Sequence, residues 1–161
     1  MSSTNFYNDQ TEDITKTILG KNNNQQVWIE NSPFTVIKKE DSLIETVNHG
    51  ETLFITSNKD LQFLYGYNQA KFLDVTEIVN SSITNGVISL RGSKDELFGD
   101  PFPYIEKSLY IKNGDTLNTI GTNTDCVIVF VNQEELVPVI EKFTRQSIFK
   151  RIMARNAIRN Q

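Results

Sequence analysis

The side chains able to carry chemistry are few and poorly placed to work together. His49 is the single histidine, and it precedes Gly50 in a turn-like stretch. Any Ser-His-Asp or Cys-His catalytic arrangement would have to recruit it. Cys126 is the single cysteine and opens the apolar run 126–131, where a thiol behaves as a small hydrophobe. Imidazole and thiolate ligands for zinc are therefore short of material. No glycine loop ends in Gly-Lys-Ser/Thr to cradle a phosphate, and no Gly-x-Ser-x-Gly elbow presents a nucleophile. Asp95, Glu96 and Asp100 supply oxygens that could hold calcium. Their spacing reads more simply as a solvated loop. Paired carboxylates for glycoside cleavage are defined by their separation in space, which sequence spacing does not give. The expectation is a protein that is not an enzyme, with no catalytic residue, no cofactor and no metal.

Aromatic side chains offer a different chemistry. Phe63, Tyr65, Tyr67 and Phe72 crowd around Gly66, and Phe98, Phe102 and Tyr104 around Pro101 and Pro103. Exposed, Tyr65, Tyr67, Phe98, Phe102 and Tyr104 would form a platform for a sugar ring or an anchor in a protein interface. Buried, they would be core and loop anchors, and the buried arrangement is the one expected here.

A third chemistry lies in the last thirty residues. Asn132 suits an N-cap, with Glu135 three residues on as its capping-box partner. Glu134 and Glu135 place negative charge where the helix dipole favours it. Pro138 interrupts the pattern, so a short first turn should precede a main helix beginning near it. At about 100° per residue, Leu136, Val139, Ile140 and Phe143 share one face. Ile148, Phe149, Ile152 and Met153 share nearly the opposite face. A helix packed on one core keeps one apolar stripe. Two stripes of opposite phase imply a break near 145–147 or a helix with two partners. The first cluster is expected to cover the chain's own body. Ile148, Phe149, Ile152 and Met153, with Lys150, Arg151, Arg155 and Arg159, are expected to meet a partner.

The charge is placed to match. Net charge is −4 over 161 residues. Residues 137–161 hold six cations against Glu141, so +6 −1 = +5, and the remainder carries −4 −5 = −9. An acidic body with a basic tail suits docking on an acidic neighbour or on a second copy. The four cations Lys150, Arg151, Arg155 and Arg159 beside so acidic a body make a weak case for nucleic acid. At 38% hydrophobic residues the chain can bury a sizeable core. One cysteine rules out an internal disulfide framework. No apolar run resembles a signal peptide or spans a bilayer, so the chain is expected to be made and used without crossing a membrane.

The elements that must position these groups are mostly strands. Residues 1–26 are polar and read as an arm, with a short helix over 11–19 suggested by Ile14 and Ile18. From Val27 onward short apolar stretches alternate with turns: 27–29, 34–38, 43–47, 53–56, 61–65 ending at Gly66, then 72–79. Asn85-Gly86 should join 83–84 to 87–90, and Asn113-Gly114 should join 109–111 to 117–120. Asn-Gly favours such hairpins because both turn residues need positive φ. Lys112 to Leu117 has the spelling that opens a LysM repeat. That repeat continues into a helix, whereas 126–131 reads as a strand, so the stretch is taken as a hairpin. The run 126–131 lacks alternation, which indicates a strand buried on both faces. Strands about ten residues apart point to a mainly β fold. The expected architecture is a β-sandwich or jelly-roll-like domain over 27–132, with a polar arm over 1–26 and a basic helical extension over 133–161.

The stretch Asn85-Gly86-Val87-Ile88-Ser89-Leu90-Arg91-Gly92-Ser93-Lys94-Asp95 is a strand followed by a Gly-Ser-x-Asp loop. With the hairpin and apolar strand after it, the region 83–132 resembles the small β-sandwich modules of tailed-phage virion proteins. The resemblance covers under a third of the chain. It implies a non-enzymatic structural component, such as a capsid-associated, neck or tail protein, assembled in the host cytoplasm. Its partners would be other virion proteins or copies of itself. The alternative is a carbohydrate-binding or host-attachment module using the aromatic clusters.

Overall fold

The computed structural model describes residues 4–8, 17–19, 26–68, 70–136 and 139. Among them lie the strands β1 (Thr4–Asn8), β2 (Thr17–Leu19), β3 (Gln26–Ile29), β4 (Thr35–Lys39), β5 (Ser42–Val47), β6 (Thr52–Thr56), β7 (Gln62–Asn68), β8 (Lys71–Asp74), β9 (Val87–Leu90), β10 (Ser108–Asn113), β11 (Thr116–Gly121) and β12 (Cys126–Phe130). Two short helices, α1 (Thr76–Ser81) and α2 (Lys94–Phe98), interrupt them. The protein is mainly β, as its pattern of short strands and turns indicates. No helix among the described residues is long and apolar enough to cross a membrane.

These strands form three sheets, in the orders β1-β4-β5, β2-β3-β6-β12-β9 and β11-β10-β7-β8. The five-stranded sheet lies between the other two, because its side chains alternate between two cores. Val27, Ile29, Leu53, Ile55, Val127 and Val129 pack with Ile37 and Val47 of the three-stranded sheet. Their immediate neighbours Trp28, Phe54, Cys126 and Ile128 pack with Phe63, Tyr65, Leu109 and Ile111 of the four-stranded sheet. A strand with successive residues on opposite faces must be apolar throughout when both faces are covered. That is why 126–131 lacks alternation. β12 is an interior strand, parallel to β6 and antiparallel to β9. β6, fully buried, is the middle strand.

Several local expectations are corrected. Gly66 does not end a strand: β7 runs through it to Asn68. A Cβ at Gly66 would collide with the Lys71 carbonyl oxygen of the returning strand, so glycine there permits close approach. The stretch 72–79 is not one strand. It divides at Val75 into the end of β8 and the start of α1, where the Asp74 carboxylate accepts the Thr76 N–H at 3.0 Å. Residues 83–84 contribute one bridge, Thr84 to Val87, around Asn85 (φ 51°) and Gly86 (φ 77°). At the second Asn-Gly pair the turn falls one residue later. Asn113 pairs with Thr116 as a strand residue, and Gly114, with φ 60°, is the first turn residue. Asn113 is held in the strand because its buried amide donates to Gln26 Oε1 at 2.7 Å.

Two strands lie within the polar stretch 1–26. β1 pairs with β4, and β2 with β3. The helix suggested over 11–19 gives way to strand at Thr17–Leu19, where an open sheet edge offers backbone partners; 11–16 lie outside the described residues. At the other end the capping box forms as expected. Asn132 Oδ1 accepts the Glu135 N–H at 2.8 Å, and Glu135 Oε1 faces the Asn132 N–H at 3.5 Å. Glu135 Oε2 also accepts the Thr4 N–H at 3.1 Å, tying β1 to this helical turn. Leu136 and Val139 are buried in the aliphatic core.

Candidate binding surface

Of the three carboxylates expected in a solvated loop, Glu96 and Asp100 are exposed, but Asp95 and Glu96 belong to α2, the start of a braced projection. α2 begins after Ser93 and points Lys94 inward, fully buried. Lys94 Nζ donates to the Thr124 carbonyl at 2.7 Å and lies 3.4 and 3.5 Å from the Gly92 and Leu90 carbonyls. Burial pushes its pKa below the ordinary lysine value. α2 ends at Gly99, whose φ of 80° turns the chain outward.

Residues 99–107 then form a loop fastened from beneath by Lys107. Its ammonium donates to the carbonyls of Ile105 at 2.8 Å and Phe102 at 3.1 Å. It also pairs with Asp100 at 2.8 Å and Asp95 at 3.4 Å. The bond to Asp100 raises the Lys107 pKa above its ordinary value, against the opposing effect of burial. Asp100 Oδ1 accepts the Phe102 N–H at 3.2 Å, and Ile105 N–H donates to the Phe102 carbonyl at 3.3 Å. Thr122 Oγ1 donates to the Lys107 carbonyl at 2.6 Å. Asp95 is the link to the core, accepting the Tyr65 hydroxyl at 2.6 Å. Burial, then this bond, pushes the Tyr65 pKa up to about 12.

The aromatic residues separate into two groups. Tyr65 and Phe98 are buried and meet edge to face at 5.4 Å, so neither ring can present a face to a sugar. Tyr67 and Phe102 meet edge to face at 5.2 Å and 89° nearer the surface. Tyr67 is the extra residue of a bulge between Gly66 and Asn68, and a bulge re-aims its side chain. Tyr104 stands fully in solvent with φ 66°, a left-handed conformation that an aromatic residue seldom adopts. Ile105, next in the chain, and Leu97 of α2 are also exposed. The structure thus joins Tyr67 to Phe102, sets Tyr104 at the loop tip, and removes Tyr65 and Phe98 to the core.

Sequence reasoning missed Lys107, the group that organises the loop. Its only signal is two carboxylates, 7 and 12 residues upstream, and nothing local shows that they return to it. It also missed a polar cluster on the other side of the central sheet. Arg91 donates from Nε to Glu51 Oε2 at 2.7 Å, from Nη1 to Glu45 Oε1 at 3.0 Å and from Nη2 to the Thr46 carbonyl at 2.7 Å. Burial opposes ionisation of Glu51, but Arg91 and the Asn48 N–H outweigh it and hold its carboxyl below the ordinary value. Cys126 is fully buried, and burial pushes its thiol up to about 12, which suppresses the reactive thiolate. Ile148, Phe149, Lys150, Arg151, Ile152, Met153, Arg155 and Arg159 lie outside the described residues.

Comparison with protein-family models, with curated proteins and with solved structures finds no match to this chain.

Proposed function

We propose that this protein is a non-catalytic assembly component that docks on protein partners through the loop at 99–107. Its place would be in a particle of the kind that tailed-phage virions represent, with neighbouring structural proteins or copies of itself as partners. The observation that carries this is Tyr104, held fully in solvent at positive φ on a loop with its own internal fastening. Strain of this kind costs about 1–3 kcal/mol and persists only where the surroundings impose it. A rigid exposed aromatic loses little conformational entropy on binding, which suits it as an interface anchor. The reactive groups lend support. Lys94, Arg91 and Cys126 are committed to backbone carbonyls, carboxylates and the core respectively.

Sedimentation velocity of the full chain across a concentration series tests this. Concentration-dependent association that Tyr104→Ser weakens is the expected result. A monomer at every concentration, unaffected by the substitution, would overturn it. The carbohydrate alternative rests on Tyr67, Phe102 and Tyr104. The perpendicular packing of Tyr67 on Phe102 works against a flat sugar platform. Specific retention on a glycan array, lost in Tyr104→Ser, would favour it.

A further inference from the structure

The stretch 95–107 exposes apolar and acidic side chains together. Leu97, Tyr104 and Ile105 are exposed, and so are Glu96, Asp100 and Glu106. Residues 95–107 carry four carboxylates and one lysine, −4 +1 = −3. That lysine, Lys107, is buried beneath the loop and paired with Asp95 and Asp100, so Glu96 and Glu106 leave the outward charge negative. Lys71, the first residue of β8, pairs with Asn68 next to Tyr67 and is an exposed cation. An occupant that suits this surface has apolar side chains flanked by cations.

The chain itself carries such a segment. Residues 140–161 hold six cations against one carboxylate, interleaved with Ile148, Phe149, Ile152 and Met153. The described chain leads toward this segment from Leu136 and Val139. Both are buried in the aliphatic core, on the opposite side of the central sheet from Tyr65, Phe98 and the loop. The described chain thus ends, at Val139, on the side of the central sheet away from the loop, and a contact of one copy's segment with another copy's loop is head to tail.

We infer that the exposed apolar and acidic side chains at 95–107 receive the basic segment 140–161 of a second copy of this chain. This rests on the assembly function proposed above and names its partner. Each copy offers both surfaces, so the contact repeats into a ring or a filament. Opposite charges on the two surfaces speed and orient encounter, and salt weakens them.

A charge exchange between full-length chains tests this by sedimentation velocity at low salt. One variant carries Glu96→Lys with Glu106→Lys, and the other carries Lys150→Glu with Arg151→Glu. Each alone should weaken self-association by about tenfold. Mixed in equal amounts, the two should recover it, since each segment then finds a complementary loop on the other chain. Unchanged melting temperatures check that both variants fold. If each single variant associates as wild type does, this occupant is wrong while assembly itself stands. If mixing fails to restore association but all four changes in one chain succeed, the segment docks on its own body and the second copy is excluded. If the wild type never associates, this inference and the assembly function fall together.

Discussion

The two faces of the central sheet are built from adjacent residues of the same strands, yet they make different interiors. Toward β4 and β5 the core is wholly aliphatic, with Val27, Ile29, Leu53, Ile55, Val127 and Val129 at its centre. Toward β7 and β10 it is rich in aromatics, with Trp28 against Phe54 at 5.3 Å and Tyr65 against Phe98 at 5.4 Å. Aliphatic branched side chains fill a layer and end there. A tyrosine spans the layer and emerges with a polar tip. On the aromatic side, therefore, the core reaches the surface: Tyr65 carries packing out to Asp95, and Asp95 meets Lys107 beneath the exposed loop. On the aliphatic side the rim is closed by Arg91 clasping Glu45 and Glu51. One interior ends in a clasp and the other in a projection, and the candidate binding surface grows from the second.

Substitutions on the two sides should separate these roles. The largest effect is expected from Phe54→Ala. Its ring is fully buried in the aromatic core, so urea unfolding should show a loss of about 3–5 kcal/mol. A loss below about 1 kcal/mol would mean that the aromatic layer does not hold the four-stranded sheet in place.

The clasp comes next. Arg91→Met leaves Glu51, 5% exposed, without its guanidinium. The cost should be about 1–3 kcal/mol at pH 7, the lower part of that range being expected because the Arg91 side chain is 34% exposed. The pH dependence follows from the lowered Glu51 pKa. A carboxyl held below its unfolded value of 4.5 contributes stability that is full above pH 4.5 and fades as pH falls through the folded value. Urea midpoints taken from pH 7 to 3 should fall more steeply in wild type than in Arg91→Met. Parallel curves would remove the clasp from the account of the aliphatic side.

Ile55→Val, one residue from Phe54 but on the aliphatic face, should cost about 0.5–1.5 kcal/mol. If it proved as damaging as Phe54→Ala, the two interiors would not differ in the way described. Smallest of all is Tyr104→Ser. A residue fully in solvent contributes little to folding, so stability should change by no more than about 0.5 kcal/mol. Association should nevertheless weaken. A large stability loss would make Tyr104 a structural residue and take the loop out of the binding surface.

Elements with a local cause were legible in the residue order. The strands around Val27, Leu53 and Val127, the left-handed turn at Asn85-Gly86 and the Asn132–Glu135 capping box each depend on neighbours a few positions apart. The burial of Cys126, which pushes its thiol pKa up, followed from the apolar run around it. The layering did not. A run such as Cys-Val-Ile-Val-Phe states that both faces of a strand are covered, but not that each cover is a separate sheet. Asn113 reads as a turn residue until Gln26, 87 positions away, accepts its amide and keeps it in the strand. Tyr65 and Tyr104 are equally aromatic in sequence. The first is core because Phe98 and Asp95 close over it, and the second is surface because Lys107 fastens the loop that carries it outward. Periodicity and turn chemistry act over a few residues, so the sequence determines them directly. Which side chain is buried depends on what the folded chain brings against it from far away, and only the tertiary structure decides that.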